Sequence, residues 1–206
     1  DDAPTHHWYG VLLGALGRVD EAVDQLSRAR QLDPLSTPIG TDLGYELYLA
    51  RRYDDALRET RRIAVLDPTK SDNTLQVGMI QLQRGRPDSA VAAFHLSQRQ
   101  GSGFAVPAFL SVAYRSAGDA RSADSLYRTV RAQYRSDPSL AYGVAFAAVA
   151  AGDLDRGIAA AKDAIDRRSV FVTEMSLPCD PMFDPLKRDP RFARMLERVG
   201  MTSCSP

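Results

Sequence analysis

The stretch GVLLGALGRVDEAVDQLSRARQLDP at residues 10–34 is answered, without a gap, by GYELYLARRYDDALRETRRIAVLDP at residues 44–68. Each begins on a glycine (Gly10, Gly44), carries a buried-type small residue further on (Ala22, Ala56) and closes on Leu-Asp-Pro. Working outward, Gly78 continues the first series. Ala90, Ala123 and Gly157 continue the second, in steps of 34, 34, 33 and 34 residues. A fixed period of this length marks an architecture of stacked repeats. Between the two small residues lies a turn: Leu16-Gly17-Arg18, Ala50-Arg51-Arg52, Arg84-Gly85-Arg86, Ala117-Gly118-Asp119 and Ala151-Gly152-Asp153. Glycine there suits a helix that ends in the left-handed conformation. Pro34 and Pro68 stop the second helix of the first two units. The unit is helix, turn, helix. Because one such pair cannot bury its apolar face, the units must stack.

The composition agrees with a globular stack and narrows what it can do. The chain has 206 residues, 44% of them hydrophobic, and 26 Lys and Arg balance 26 Asp and Glu. Zero formal charge lacks the basic footprint of a nucleic-acid binder. No run approaches the roughly 18 apolar residues of a membrane span. Cys179 and Cys204 are too few for a disulfide scaffold and have the wrong pattern for a metal site; they form one bridge or none. The opening Asp1-Asp2-Ala3-Pro4, without an initiator Met, reads as a mature product or an excised piece.

The spacing of Gly10, Ala22, Ala29 and Pro34, repeated at Gly44, Ala56 and Pro68, resembles the tetratricopeptide repeat. The resemblance covers five units over about four-fifths of the chain. They run at about 5–36, 37–70, 71–103, 104–137 and 138–169 and fade toward the last. It implies an all-α, right-handed superhelix. Two segments resemble something narrower. His6-His7-Trp8-Tyr9 through Ala22, and the closing Asp184-Pro185-Leu186-Lys187-Arg188-Asp189-Pro190-Arg191-Phe192, are similar to the C-terminal repeat region of bacterial multidomain regulators. Those regulators carry winged-helix, cyclase or Ser/Thr-kinase modules. This likeness implies a sensory or scaffolding part, on either the cytoplasmic or the extracytoplasmic side.

Residues 170–206 read as an irregular segment followed by a capping helix at about 190–199. Asp189 is its N-cap, Pro190 sits in its first turn, and Phe192, Met195 and Leu196 form its apolar stripe. The irregular part either packs without helical phase or returns toward the groove.

In the family the first helix of each pair lines the concave side, where partners bind. That register places His7, Trp8 and Val11, then Thr41, Tyr45 and Tyr48, then Leu75, Met79 and Leu82 on this face. Phe109, Val112 and Arg115 follow, with Tyr142, Phe146 and Val149 last. Family members that clamp a peptide carboxylate use Lys, Arg and Asn here. Only Arg115 is basic in this chain, with Asp42 and Asp72 nearby, which argues against such a clamp. Aromatic and Met side chains dominate interface energetics, so the expected ligand is an apolar helix or extended peptide. The competing reading is that the stripe is internal core or is covered by the chain's own tail.

The catalytic inventory is sparse. His6 and His7 point about 100° apart on a helix and cannot share one metal. His95 has no Glu or Cys at ligand spacing. Cys179 lacks the local signature of a nucleophile. Arg51, Arg52, Arg58, Arg61 and Arg62 are interleaved with Asp54, Asp55 and Glu59 as helix-surface pairs. The expectation is a non-catalytic binding module without cofactor or metal, whose partner is a protein or peptide rather than nucleic acid. The alternative is a structural subunit or homodimer that uses its convex or terminal faces, since Trp8 and Leu12 leave an apolar edge on the first helix.

Overall fold

The computed structural model of the chain describes residues 2–68, 71–101, 105–167, 177–200 and 204. These residues form eleven α-helices and no strand. Ten helices make five antiparallel pairs: α1 (Ala3–Ala15) with α2 (Val19–Leu32), α3 (Thr37–Leu49) with α4 (Tyr53–Leu66), α5 (Ser71–Gln83) with α6 (Pro87–Arg99), α7 (Val106–Ser116) with α8 (Ala120–Tyr134), and α9 (Ala141–Ala150) with α10 (Leu154–Asp166). A 3-10 turn, Pro138–Leu140, leads into α9. Two more, Pro181–Phe183 and Leu186–Arg188, precede the last helix, α11 (Pro190–Glu197).

The small residues of the repeat are the points of closest packing. Ala22, Ala56, Ala90 and Ala123 are fully buried. At Gly78 an added Cβ would lie 2.3 Å from Cε1 of Phe94, so α5 and α6 approach as closely as they do only because that position has no side chain. Burying a side chain such as Phe94 or Leu26 contributes about 1.5–3 kcal/mol. Repeated along the stack, that contribution outweighs the weak helix propensity of the glycines.

Every turn inside a pair closes in the same way. The backbone N–H of Arg18, Arg52, Arg86, Asp119 and Asp153 donates to the carbonyl of Leu13, Leu47, Gln81, Tyr114 and Ala148 respectively, each at 2.9 Å. The residue before each donor has positive φ. Four of these are glycines, and the fifth is Arg51, at φ 60°. A non-glycine residue in this region costs about 1–2 kcal/mol, so Arg51 occupies a place where the repeat itself favours glycine.

The last pair differs in character. Every residue of α9 from Ala141 to Val149 is buried. A surface helix shows one apolar stripe, and a helix apolar all round is enclosed. The enclosure comes from α7, α8 and α10 on one side and from the chain's own C-terminal segment on the other. Helix α11 begins at Asp189, whose carboxylate accepts from the N–H of Arg191 at 2.8 Å, and it buries Phe192, Met195 and Leu196.

Candidate functional site

The first helices of the pairs, α1, α3, α5, α7 and α9, carry the stripe that the sequence register picked out. Its middle and C-terminal part is internal. Tyr48, Met79, Phe109, Tyr142 and Phe146 are each at most 2% exposed. The segment 177–188 lies across this part of the face. Asp180, fully buried, accepts from the hydroxyls of Tyr48 on α3 at 2.8 Å and Tyr142 on α9 at 2.6 Å, and from the N–H of Met182 at 2.9 Å. Phe183 stands edge-on to Tyr142 and Phe146, with ring centroids at 5.3 and 6.4 Å. Behind them the stack continues through Phe109 to Phe94, at 4.5 and 5.3 Å.

Burial pushes the carboxyl of Asp180 up, and the phenols and backbone amide bonded to it oppose that. Burial and the neighbouring carboxylate push the phenols of Tyr48 and Tyr142 well above their usual range, so both remain donors. Asp184 pairs with Arg51 at 2.8 Å and with Lys187 at 2.9 Å. A disulfide joins Cys179 to Cys204, whose sulfur lies 3.6 Å from the carbonyl of Gly17 in the first turn. As an open groove running the length of the stack, the stripe is therefore unavailable. Tyr48, Tyr142 and Phe146 are covered by the tail, whereas Met79 and Phe109 belong to the internal core of the helices.

Other predicted positions lie at the margin. Leu82 and Val112 are half-buried beside a cleft of about 270 Å³, which Pro181, Met182 and Pro185 border from the tail. Arg115, half-buried, pairs with Asp124 of the neighbouring helix. Thr41 donates to the carbonyl of Thr37 at 2.9 Å and to Oδ1 of Asn73 at 3.1 Å.

The N-terminal end of the stripe stays open. His7 is nearly buried and bonds through Nε2 to Oδ2 of Asp42 at 2.6 Å. Trp8 is 67% exposed. Trp8, Val11, Ala15, Leu26, Asp42, Tyr45 and Glu46 line a cleft of about 380 Å³. Glu46 is buried, and its Oε2 has no hydrogen-bond partner. Burial, reinforced by Asp42, pushes its carboxyl up to about 8. An unpaired buried carboxylate is costly, so the side chain is held largely neutral near pH 7. Its Oε1 presses on α1: a Cβ at Gly14 would come within 2.1 Å.

No protein-family profile and no curated protein sequence matches the chain. Solved structures do. The thermophilic TPR protein TTC0263 of Thermus thermophilus superposes over 95% of this chain and 99% of its own, with TM-score 0.66 and 17% identity. The fold is that of the tetratricopeptide-repeat proteins. MamA matches over 82% of this chain and 93% of its own, with TM-score 0.56 and 17% identity. MamA of MSR-1 matches over 81% and 98%, with TM-score 0.52 and 19% identity. At these identities the likeness concerns the fold alone.

Within that tetratricopeptide-repeat fold, three residues that shape the site escaped the sequence register: Asp180, Phe183 and Glu46. Asp180 lies in an aperiodic Pro-Cys-Asp-Pro run and meets partners far away in the chain. Glu46 left a faint signal, since it follows Asp42 by one helical turn on an otherwise apolar helix. Among the described residues no group of His, Cys, Asp and Glu is arranged to hold a metal, and no helix is long and apolar enough to cross a membrane.

Proposed function

We propose that this chain is a non-catalytic protein-interaction module that receives its partner at the open, N-terminal end of the face formed by the first helices. One observation carries the reading. The aromatic stripe divides into a part sealed by residues 177–188 and a part, around Trp8, Val11 and Tyr45, that borders an open cleft. Trp8 is two-thirds exposed, and large aromatic side chains placed beside a cleft are the usual anchors of an interface. The resemblance to the repeat regions of bacterial regulators suggests a sensory or scaffolding part as its setting. The expected ligand is an apolar helix or extended peptide. It is shorter than a full-length groove would hold, because the tail occupies the rest.

The test is affinity capture from the source cell with the wild-type chain and with Trp8→Ala, a surface change that leaves the helical spectrum intact. A captured protein depleted by the substitution supports the reading. Identical captured sets overturn it.

A second reading rests on Tyr9, Leu12 and Leu16, which are 46%, 54% and 60% exposed on α1 and its end. An exposed apolar row of this kind suits a contact between copies of the chain or with a structural neighbour. Light scattering discriminates: a mass that grows with concentration and reverts in Leu12→Ala favours self-assembly, and a constant monomer mass excludes it.

A further inference from the structure

The open cleft has an unusual chemical make-up. Its walls are the indole of Trp8, the aliphatic side chains of Val11 and Leu26, and the phenol of Tyr45; its acid groups are Asp42 and Glu46. No basic side chain lines it. Glu46 is only 6% exposed, yet its Oε2 lacks a hydrogen-bond partner. Asp42 binds His7 through Oδ2 and lies one helical turn before Glu46. A buried acid at the edge of an aromatic cleft, with no Lys or Arg among the residues that line it, keeps its proton until a cation is brought to it from outside.

We infer that this cleft takes the ammonium group of a lysine side chain presented by a partner protein, which specifies the chemistry of the interaction-module reading and rests on it. The aliphatic stem of lysine lies against Val11 and Ala15, as such stems do along apolar surfaces. The cation sits over the indole and phenol faces, an arrangement that strengthens as water is excluded. The ammonium then meets Glu46, whose carboxyl gives up its proton to solvent as the cation arrives. Because Oε1 is pressed against the backbone at Gly14, one carboxylate oxygen is available. A single oxygen suits the point charge of lysine, whereas the planar fork of arginine is matched by two. The carboxylate of Asp42 and the buried acid Glu46 leave the site without a group that would attract an acidic peptide or a chain terminus.

The probes are N-acetyl-lysine N-methylamide and its uncharged counterpart N-acetyl-norleucine N-methylamide, titrated into the full chain while NMR follows the indole N–H of Trp8. The chain has one tryptophan, so this resonance is unambiguous. The lysine probe is expected to shift it saturably in the millimolar range typical of one cation contact, with the norleucine probe at least tenfold weaker. Glu46→Gln keeps the shape of the side chain and is expected to weaken the lysine probe about tenfold while the helical spectrum and melting curve show a folded chain. Trp8→Ala, at an exposed position, provides a second variant, read through the backbone amides of residues 42–46, and is expected to weaken the same probe.

Equal responses to the two probes, no saturable response to either, or an unchanged affinity in folded Glu46→Gln would overturn the inference. Its failure is separable from that of the broader reading. If a protein captured from the source cell depends on Trp8 but not on Glu46, docking at this end stands and the lysine assignment falls.

Discussion

The hydroxyl of Tyr48 and the carboxylate of Asp180 meet at 2.8 Å although 132 residues separate them. The same carboxylate takes a second phenol, Tyr142, at 2.6 Å. One buried side chain thus fastens the second and the fifth helical pairs to a segment that belongs to neither. Asp180→Ala removes the buried carboxylate that accepts from the hydroxyls of Tyr48 and Tyr142, and each such lost bond costs about 1–3 kcal/mol. Urea unfolding is expected to show a loss of about 3 kcal/mol or more, and a dye that reports exposed apolar surface should bind the variant more strongly. A midpoint equal to that of the wild type would show that the tail is not held by this carboxylate.

Glu46 predicts a dependence on pH. Its carboxyl is raised from the ordinary 4.5 to about 8 in the folded chain, so the unfolded chain releases the proton first. Stability then falls as pH rises from about 4.5 and levels off above about 8, with a slope approaching 1.4 kcal/mol per pH unit from this group. Asp180, also raised by burial, acts in the same direction. Urea unfolding at successive pH values should show this decline in the wild type and a much flatter profile in Glu46→Gln between pH 5 and 8. Parallel profiles would mean that Glu46 ionises in the folded state as readily as in the unfolded one.

Gly14 and Glu46 should behave as one unit. A methyl at position 14 would lie 2.1 Å from Oε1 of Glu46, an overlap of the kind that costs about 1–3 kcal/mol in a filled interior. Gly14→Ala is expected to destabilise the chain by that order. In a Glu46→Ala background most of the cost should vanish, and a double-mutant cycle by thermal or urea unfolding measures the coupling. Additive losses would show that the close approach is not what position 14 responds to.

The disulfide between Cys179 and Cys204 closes a loop over a sequence separation of 25. Chain-entropy reasoning assigns a loop of this size about 3 kcal/mol. Reduction by a dithiol, or Cys204→Ser, should lower unfolding stability by about 2–4 kcal/mol and speed hydrogen exchange at the N–H of Met182, which bonds to Asp180. Unchanged exchange there would mean that the phenols alone retain the tail.

How much of this was legible in the sequence follows from the range of the interactions. Gly10, Gly44 and Gly78, together with Ala22, Ala56, Ala90 and Ala123, touch residues of their own or the next helix, so the helical pairs and their stacking are written locally. The N-cap at Asp189 and the stripe of Phe192, Met195 and Leu196 were readable for the same reason. The covering of Tyr48, Tyr142 and Phe146 and the internal packing of Met79 and Phe109 were left open, because the repeat register gives the side of the helix on which a residue stands and carries no information about what lies over it. The burial of α9 had a sign in its composition, since Ala141–Ala150 is apolar on every side, which a helix bordering an open groove would not be. Arg51 is a smaller case. It departs from the glycine of the other turns, and its meaning lies in the ion pair with Asp184, across 133 residues.

The placement of the tail also alters what kind of object the stack is. A linear array of repeats holds together through neighbour contacts, so its ends fray and its units can come apart in sequence. Here the strip at 177–188 is tied to α3 through Tyr48, to the turn after it through Arg51 and to α9 through Tyr142, and its disulfide partner Cys204 rests beside the turn after α1. The row of units becomes a clasped loop from the second pair to the fifth, in which loosening the last pair means releasing the clasp that also holds the second. Such a chain trades the quick, piecemeal zippering of an open array for contacts made across most of its length. Those contacts slow folding, because distant segments must meet first, and they turn the loss of the structure into one concerted event.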